Sequence, residues 1–150
     1  MKFSHNNRGF TFIEILVVLA LLTVVLGFGS FVDLSAFRTD TFRAEEYTIT
    51  AILEKARSRA MANINETPHG VCYIAPNYVI FEGSNCTAMG SELIPANQNI
   101  ASLSDFANMS KFPKFVFTQL SGRTTGATIA ITDGIKNTSI AINNEGTINW

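Results

Sequence analysis

From Phe10 to Val32 the sequence carries a single ionisable side chain, Glu14. At about 1.5 Å per residue, a helix over residues 10–32 is roughly 35 Å long, enough to cross the hydrocarbon core of a bilayer with some tilt. A run this apolar has no polar face to present to water, so it must be covered by lipid or by other protein. An acid inside it is costly unless something pairs with it, which makes Glu14 a functional candidate.

The residues ahead of the run narrow its meaning. Lys2 and Arg8 precede it, and residues 1–9 contain no acid. Three readings compete. An ordinary secretory signal should end in a small-residue cleavage site, which Gly27, Gly29 and Ser30 supply only loosely. A simple signal anchor, with Lys2 and Arg8 kept in the cytoplasm, explains topology but not Glu14. A third reading puts the cut before the apolar run, between Gly9 and Phe10. Residues 10 and 14 are then i,i+4 neighbours on one helix face, so a freed amine at Phe10 lies about a turn from the Glu14 carboxylate. Adjacent subunits offering the same two groups would pair them between chains at low dielectric, relieving both charges and setting an axial register. The alternative is that Glu14 simply sits in the headgroup zone.

Gly9-Phe10-Thr11-Phe12-Ile13-Glu14, with Arg8 ahead and a long apolar stretch behind, resembles the class III signal of the type IV prepilin family, which includes the type II secretion pseudopilins. The resemblance implies cleavage after Gly9 by a prepilin peptidase, N-methylation of Phe10, and assembly roles for Glu14 and Thr11. Phe12 departs from the commoner leucine, conservatively.

Beyond the anchor the pattern changes. Gly27, Gly29 and Ser30 weaken helical propensity, by up to about 1 kcal/mol per glycine. Phe31 stands where many pilins have a kinking proline, and Asp33–Thr41 is a transition to polar surroundings. From Thr41 to about Asn63 the spacing of Phe42, Ile49, Ile52, Leu53, Ala56 and Ala60 predicts an amphipathic helix, ended at Pro68. Lys55, Arg57 and Arg59 are spaced by two, which spreads them around the helix as a solvated face. The period then falls to two. Residues 69–75 and 78–82 predict a hairpin across Pro76-Asn77, and 127–132, 138–143 and 146–150 predict strands joined at Asp133-Gly134 and Asn144-Glu145-Gly146. Strand character also resumes between Lys111 and Leu120. Ile129, Ile131, Ile140, Ile142 and Ile148 should line one buried face. Residues 84–111 suit a long loop with one short strand near Leu93-Ile94 or Ile100.

The two cysteines, Cys72 and Cys86, fit either one disulfide or two unpaired thiols. A bridge would close a loop of about 15 residues, worth about 3 kcal/mol in the chain-entropy account, and suits a domain outside the cytoplasm.

A phenylalanine strand, Gly122-Arg123-Thr124-Thr125-Gly126, and strands ending at Asn144-Glu145-Gly146, together with Ala56-Arg57-Ser58-Arg59-Ala60 on the helix, resemble the GspH/FimT-like branch of minor pilins and pseudopilins. Some members bind DNA through basic residues near the C-terminal strand. Here Gly146-Thr147-Ile148-Asn149 holds no arginine or lysine, and the formal charge of the whole chain is −1, so nucleic acid is not an expected partner.

No catalytic constellation emerges. His5 falls in the leader, and His69, alone beside a proline turn, reads as a surface or capping residue. There is no phosphate loop, dinucleotide fingerprint, zinc signature or calcium loop, so neither an enzyme nor a cofactor or metal is expected. The sequence therefore predicts an α+β, pilin-like fold: a long N-terminal helix packed on a C-terminal antiparallel sheet. Its parts are a leader at 1–9, a transmembrane and assembly helix at 10–32, and an extracytoplasmic domain of about 115 residues at 33–150, large enough for a core of its own. Such a subunit would sit in the inner membrane as a single-pass protein. Its expected partners are the prepilin peptidase, the membrane and other subunits of a pilus or pseudopilus.

Overall fold

The structure, a computed structural model, describes residues 10–29, 34–105 and 110–150. The chain divides into two units, Met1–Arg38 and Thr39–Trp150, each with its own internal contacts.

In the first unit, helix α1 spans Phe12–Gly29, 18 residues with no basic residue in its last turn. Its described side chains, through Gly27, are all exposed. Phe12, Ile13 and Leu26 are 79%, 66% and 68% exposed. At about 27 Å, α1 is shorter than the predicted 10–32 segment, whose end at residues 30–32 lies outside the described residues. Among the described residues no helix is long and apolar enough to cross a membrane. Gly27 and Gly29 fall inside α1, and the expected bend at Ser30 and the transition at Asp33 lie outside the described residues.

Helix α2 spans Leu34–Met61, starting seven residues before the predicted Thr41. Phe42, Ile49, Ile52, Leu53, Ala56 and Ala60 are all buried, as the spacing predicts. A short 3-10 turn, Ile64–Glu66, follows, with Asn63 and Asn65 at φ 57° and 56°. Asparagine tolerates this left-handed backbone better than most residues, which suits it to ending the helix.

Among the described residues nine strands follow: β1 His69–Ile74, β2 Asn77–Glu82, β3 Glu92–Pro95, β4 Ala101–Asp105, β5 Ser110–Lys111, β6 Phe115–Phe117, β7 Ala127–Thr132, β8 Asn137–Ile142 and β9 Ile148–Asn149. They form two antiparallel sheets where one was expected, in the orders β3-β2-β1-β6 and β5-β4-β7-β8-β9. The split is local chemistry. Pro113 cannot donate to a ladder, and strand character resumes after it, as expected, in β6, while Ser110–Lys111 ahead of it forms β5 in the other sheet. The predicted loop at 84–111 holds both candidate strands, β3 at Leu93-Ile94 and β4 just after Ile100, again one in each sheet.

Both sheets contribute to one core with α2: Val71, Tyr78, Ile80, Phe115 and Phe117 from the first, Ile129, Ile131, Ile140 and Ile142 from the second. Ile148 packs at the edge of this core, partly buried. Each fully buried side chain of this size is worth about 1.5–3 kcal/mol relative to exposure. The first sheet also buries its other face, where Cys72, Val79 and Phe81 cluster with Cys86 and Val116. Cys72 and Cys86 form a disulfide there, with Cα atoms 6.1 Å apart. Burial on both faces overrides the period of two expected here: His69 to Cys72 and Tyr78 to Phe81 are each buried in succession.

His69 departs from expectation. It is fully buried on β1, with Nδ1 3.1 Å from the Thr67 carbonyl oxygen and Nε2 3.8 Å from a Glu82 carboxylate oxygen. Its place in β1, between β2 and β6, covers it.

Candidate functional site

Glu14 lies in the first turn of α1, where its own chain builds a cap for it. Thr11 is the residue before the helix, and the Glu14 amide donates to the Thr11 carbonyl at 3.0 Å and to its Oγ1 at 3.4 Å. In return the Thr11 amide donates to Glu14 Oε2 at 3.5 Å. Thr11-Phe12-Ile13-Glu14 is thus a capping box, in which threonine and acid three residues apart satisfy amides that the helix start leaves open. The acid also lies at the positive end of the helix dipole. Both side-chain contacts are at the long limit for a hydrogen bond, and the one from the Thr11 amide holds the carboxylate only weakly.

The surroundings of Glu14 are apolar and open. Phe10, Glu14, Ile15, Val18 and Leu19 line a hollow of about 270 Å³ along one side of the segment. The spacing 10, 14, 18 is one helix stripe, so the acid stands in the middle of an uncovered apolar strip. Phe10 and Glu14 border the same hollow, as their i,i+4 spacing requires. Gly9 and the rest of the leader lie outside the described residues.

The basic residues of α2 do not form the plain solvated face expected of them. Lys55 Nζ and Arg59 Nη2 both grip the Glu92 carboxylate on β3, at 2.5 and 2.6 Å. The hydrogen bond from Lys55, with Arg59 behind it, holds the Glu92 carboxyl below the usual carboxylate range. Arg57 reaches across to the Glu145 carbonyl at 3.3 Å and lies against Gly146 and Gly122. These cations are engaged in fastening α2 to a strand and a turn.

Sequence reading missed Glu45. It is 5% exposed and accepts from the Tyr78 hydroxyl at 2.7 Å and the Asn97 amide at 3.3 Å. Ser102 Oγ lies 2.9 Å from the same hydroxyl. The signal was present: Glu45 is three residues after Phe42 and four before Ile49, so it completes the buried stripe. Among the described residues no group of three or more His, Cys, Asp or Glu is placed to hold a metal.

Residues 4–30 match the family described as the prokaryotic N-terminal methylation motif. The match includes Gly9, Phe10, Glu14 and all of α1, and it supports a type IV pilin-like chain. The motif indicates a prepilin-type substrate of prepilin peptidase and a structural subunit that joins other pilin subunits. Neither the comparison with curated proteins nor that with solved structures gives a match.

Proposed function

We propose that this chain is a minor pilin or pseudopilin, of the GspH/FimT-like kind, that is stored in the inner membrane and assembled into a type IV pilus or a type II secretion pseudopilus. Prepilin peptidase hydrolyses the Gly9–Phe10 peptide bond on the cytoplasmic side, and the amine so released on Phe10 is methylated. Residues 10–32 hold the processed subunit in the bilayer with residues 33–150 outside the cytoplasm. On assembly, Glu14 exchanges its weak contact with Thr11 for the Phe10 amine of a neighbouring subunit. The observation that carries this reading is an apolar helix with exposed side chains, whose one acid lies in a matched methylation motif.

The energetic case is one of comparison. A carboxylate at the positive end of a helix, with one long hydrogen bond from the Thr11 amide, is modestly satisfied in the headgroup zone. A charge-assisted bond to an ammonium away from water is shorter and about twice as strong as a neutral one. Assembly that buries both groups therefore favours the pair, and penalises any register that leaves one of them alone.

Mass spectrometry of the protein from cells with an active prepilin peptidase tests the reading. The expected mature form lacks residues 1–9 and begins with methylated Phe10; a protein that keeps Met1 overturns it. A tip-exposed binding subunit is the second reading, favoured by the cavity beside Tyr78, which has no part in processing or anchoring.

A further inference from the structure

We infer that the cavity between the β1–β2 hairpin and the segment 96–103 binds a protonated amine carried on an apolar body, such as an arylalkylammonium ion. It has a volume of about 390 Å³, and Tyr73, Tyr78, Phe112, Asn97, Ser102 and Leu103 are among its lining residues. That is the size of a small-molecule pocket. This site belongs to the unit Thr39–Trp150 and does not depend on how the N-terminus is processed.

Three rings form an aromatic wall. Tyr78 lies with its ring centroid 5.6 Å from Tyr73 and 5.4 Å from Phe112, tilted to both. Such rings present negative π-faces that attract an organic cation, by about 0.5–1 kcal/mol where exposed and 2 or more where water is excluded.

The polar floor has its protons fixed in one direction. The Glu45 carboxylate can only accept, so the Tyr78 hydroxyl spends its one proton on it, at 2.7 Å. Burial, the largest influence on Tyr78, pushes its pKa far above the usual tyrosine value, so it remains a phenol throughout the physiological range. With that proton committed, the Ser102 hydroxyl must donate to the Tyr78 oxygen, across 2.9 Å. The lone pairs of Ser102 are left for a donor in the cavity. Among the described residues no cation lies within ion-pair distance of Glu45. Its described partners are the neutral donors Tyr78 and Asn97. The field of this buried carboxylate favours a cation in the space just beyond Tyr78 and Ser102 and disfavours an anion there.

The rim is built before any ligand arrives. The Ala96 amide donates to the Pro76 carbonyl at 3.1 Å, and Gln98 Nε2 donates to the carbonyls of Pro76 and Ala96 at 3.1 and 3.0 Å. These bonds pin the segment carrying Asn97 to the hairpin turn, so little ordering cost remains for binding.

The test uses the full chain in nanodiscs of zwitterionic lipid, with empty nanodiscs subtracted. Phenethylammonium and 3-phenylpropionate, alike in size and opposite in charge, are titrated separately by ligand-observed saturation-transfer NMR. Phenethylammonium should saturate and bind at least about tenfold more tightly than the anion. Ser102→Ala should weaken the cation by about tenfold, the scale of one hydrogen bond to a charged group. Ala101→Trp, at an exposed position on the lining, should abolish binding while circular dichroism stays unchanged. Absence of saturation, equal binding of cation and anion, or full binding by a folded Ala101→Trp protein would each overturn the proposal.

Discussion

Gly146 has room for a backbone and nothing more. Its φ is 78°, and a Cβ there would lie 2.1 Å from the Gly122 carbonyl oxygen and 3.0 Å from Arg57 Nε. Strain in the left-handed region adds to a collision with backbone, so Gly146→Ala should destabilise the domain by about 2–4 kcal/mol, read as a fall in thermal midpoint. Glu92 makes a gentler test at the same scale. Its carboxyl is held low by the Lys55 hydrogen bond and by Arg59, so its stabilisation is present above the unfolded carboxylate pKa, about 4. That stabilisation is lost as pH falls through the lower folded value. Glu92→Gln should cost at most about 1 kcal/mol at neutral pH, because the pair is partly solvated. Urea denaturation should show the gap between variant and wild type closing as the pH is lowered below the carboxylate range. Neither residue announces its partner in the sequence: Glu92 meets a helix 33 and 37 residues earlier, and Gly146 meets Gly122.

At the scale of elements, periodicity carries a long way and then stops. The buried positions of α2 and the hairpins β1–β2 and β7–β8 follow from spacing and turn residues, because each is a local pattern read against one covered face. Asp133 Oδ1 accepts from the amides of Ile135 and Lys136, at 2.9 and 2.6 Å, which explains why Asp133-Gly134 turns the chain. The distribution of strands between two sheets is not local. β6 pairs with β1 while β4 pairs with β7, so chain neighbours part company. The disulfide joins β1 to the segment after β2, behind the first sheet. Cys72→Ser with Cys86→Ser should therefore lower stability by about 3 kcal/mol in denaturant unfolding, an effect carried mainly by the unfolded chain. Thiol titration of the unreduced, denatured protein should find no free cysteine.

On the scale of the whole molecule, the two units differ in what they bury. The unit Thr39–Trp150 holds a core built from α2 and both sheets, whereas α1 exposes every described side chain. An exposed apolar stretch of this length marks an interaction surface. Glu14→Ala should then leave membrane insertion intact, since it removes an acid from an apolar segment, and reduce incorporation into filaments severely. Fractionation measures the first and sheared-filament yield the second. Normal incorporation would show that Glu14 does not set the register.

What the sequence determined by itself are the features that depend on neighbours along the chain. These are the apolar run with its lone acid, the capping box at Thr11 and Glu14, the stripe of α2 and the alternating strands. Each is written in spacings of two, three or four residues, and local geometry reads such spacings directly. Tertiary structure alone decided which sheet each strand joins, that His69 is buried, and that Lys55, Arg57 and Arg59 fasten α2 to a strand and a turn. It also decided that Glu45 has Tyr78, Asn97 and Ser102 gathered around it. The physical reason is the same in each case. A charge or an edge is satisfied by whatever lies opposite it, and what lies opposite is chosen by packing between segments far apart in the chain. The motif at 4–30 could be read early because its chemistry is local; the cavity beside Tyr78 could not, because only packing brings the hairpin residues Tyr73 and Tyr78 against the segment 96–103 and Phe112.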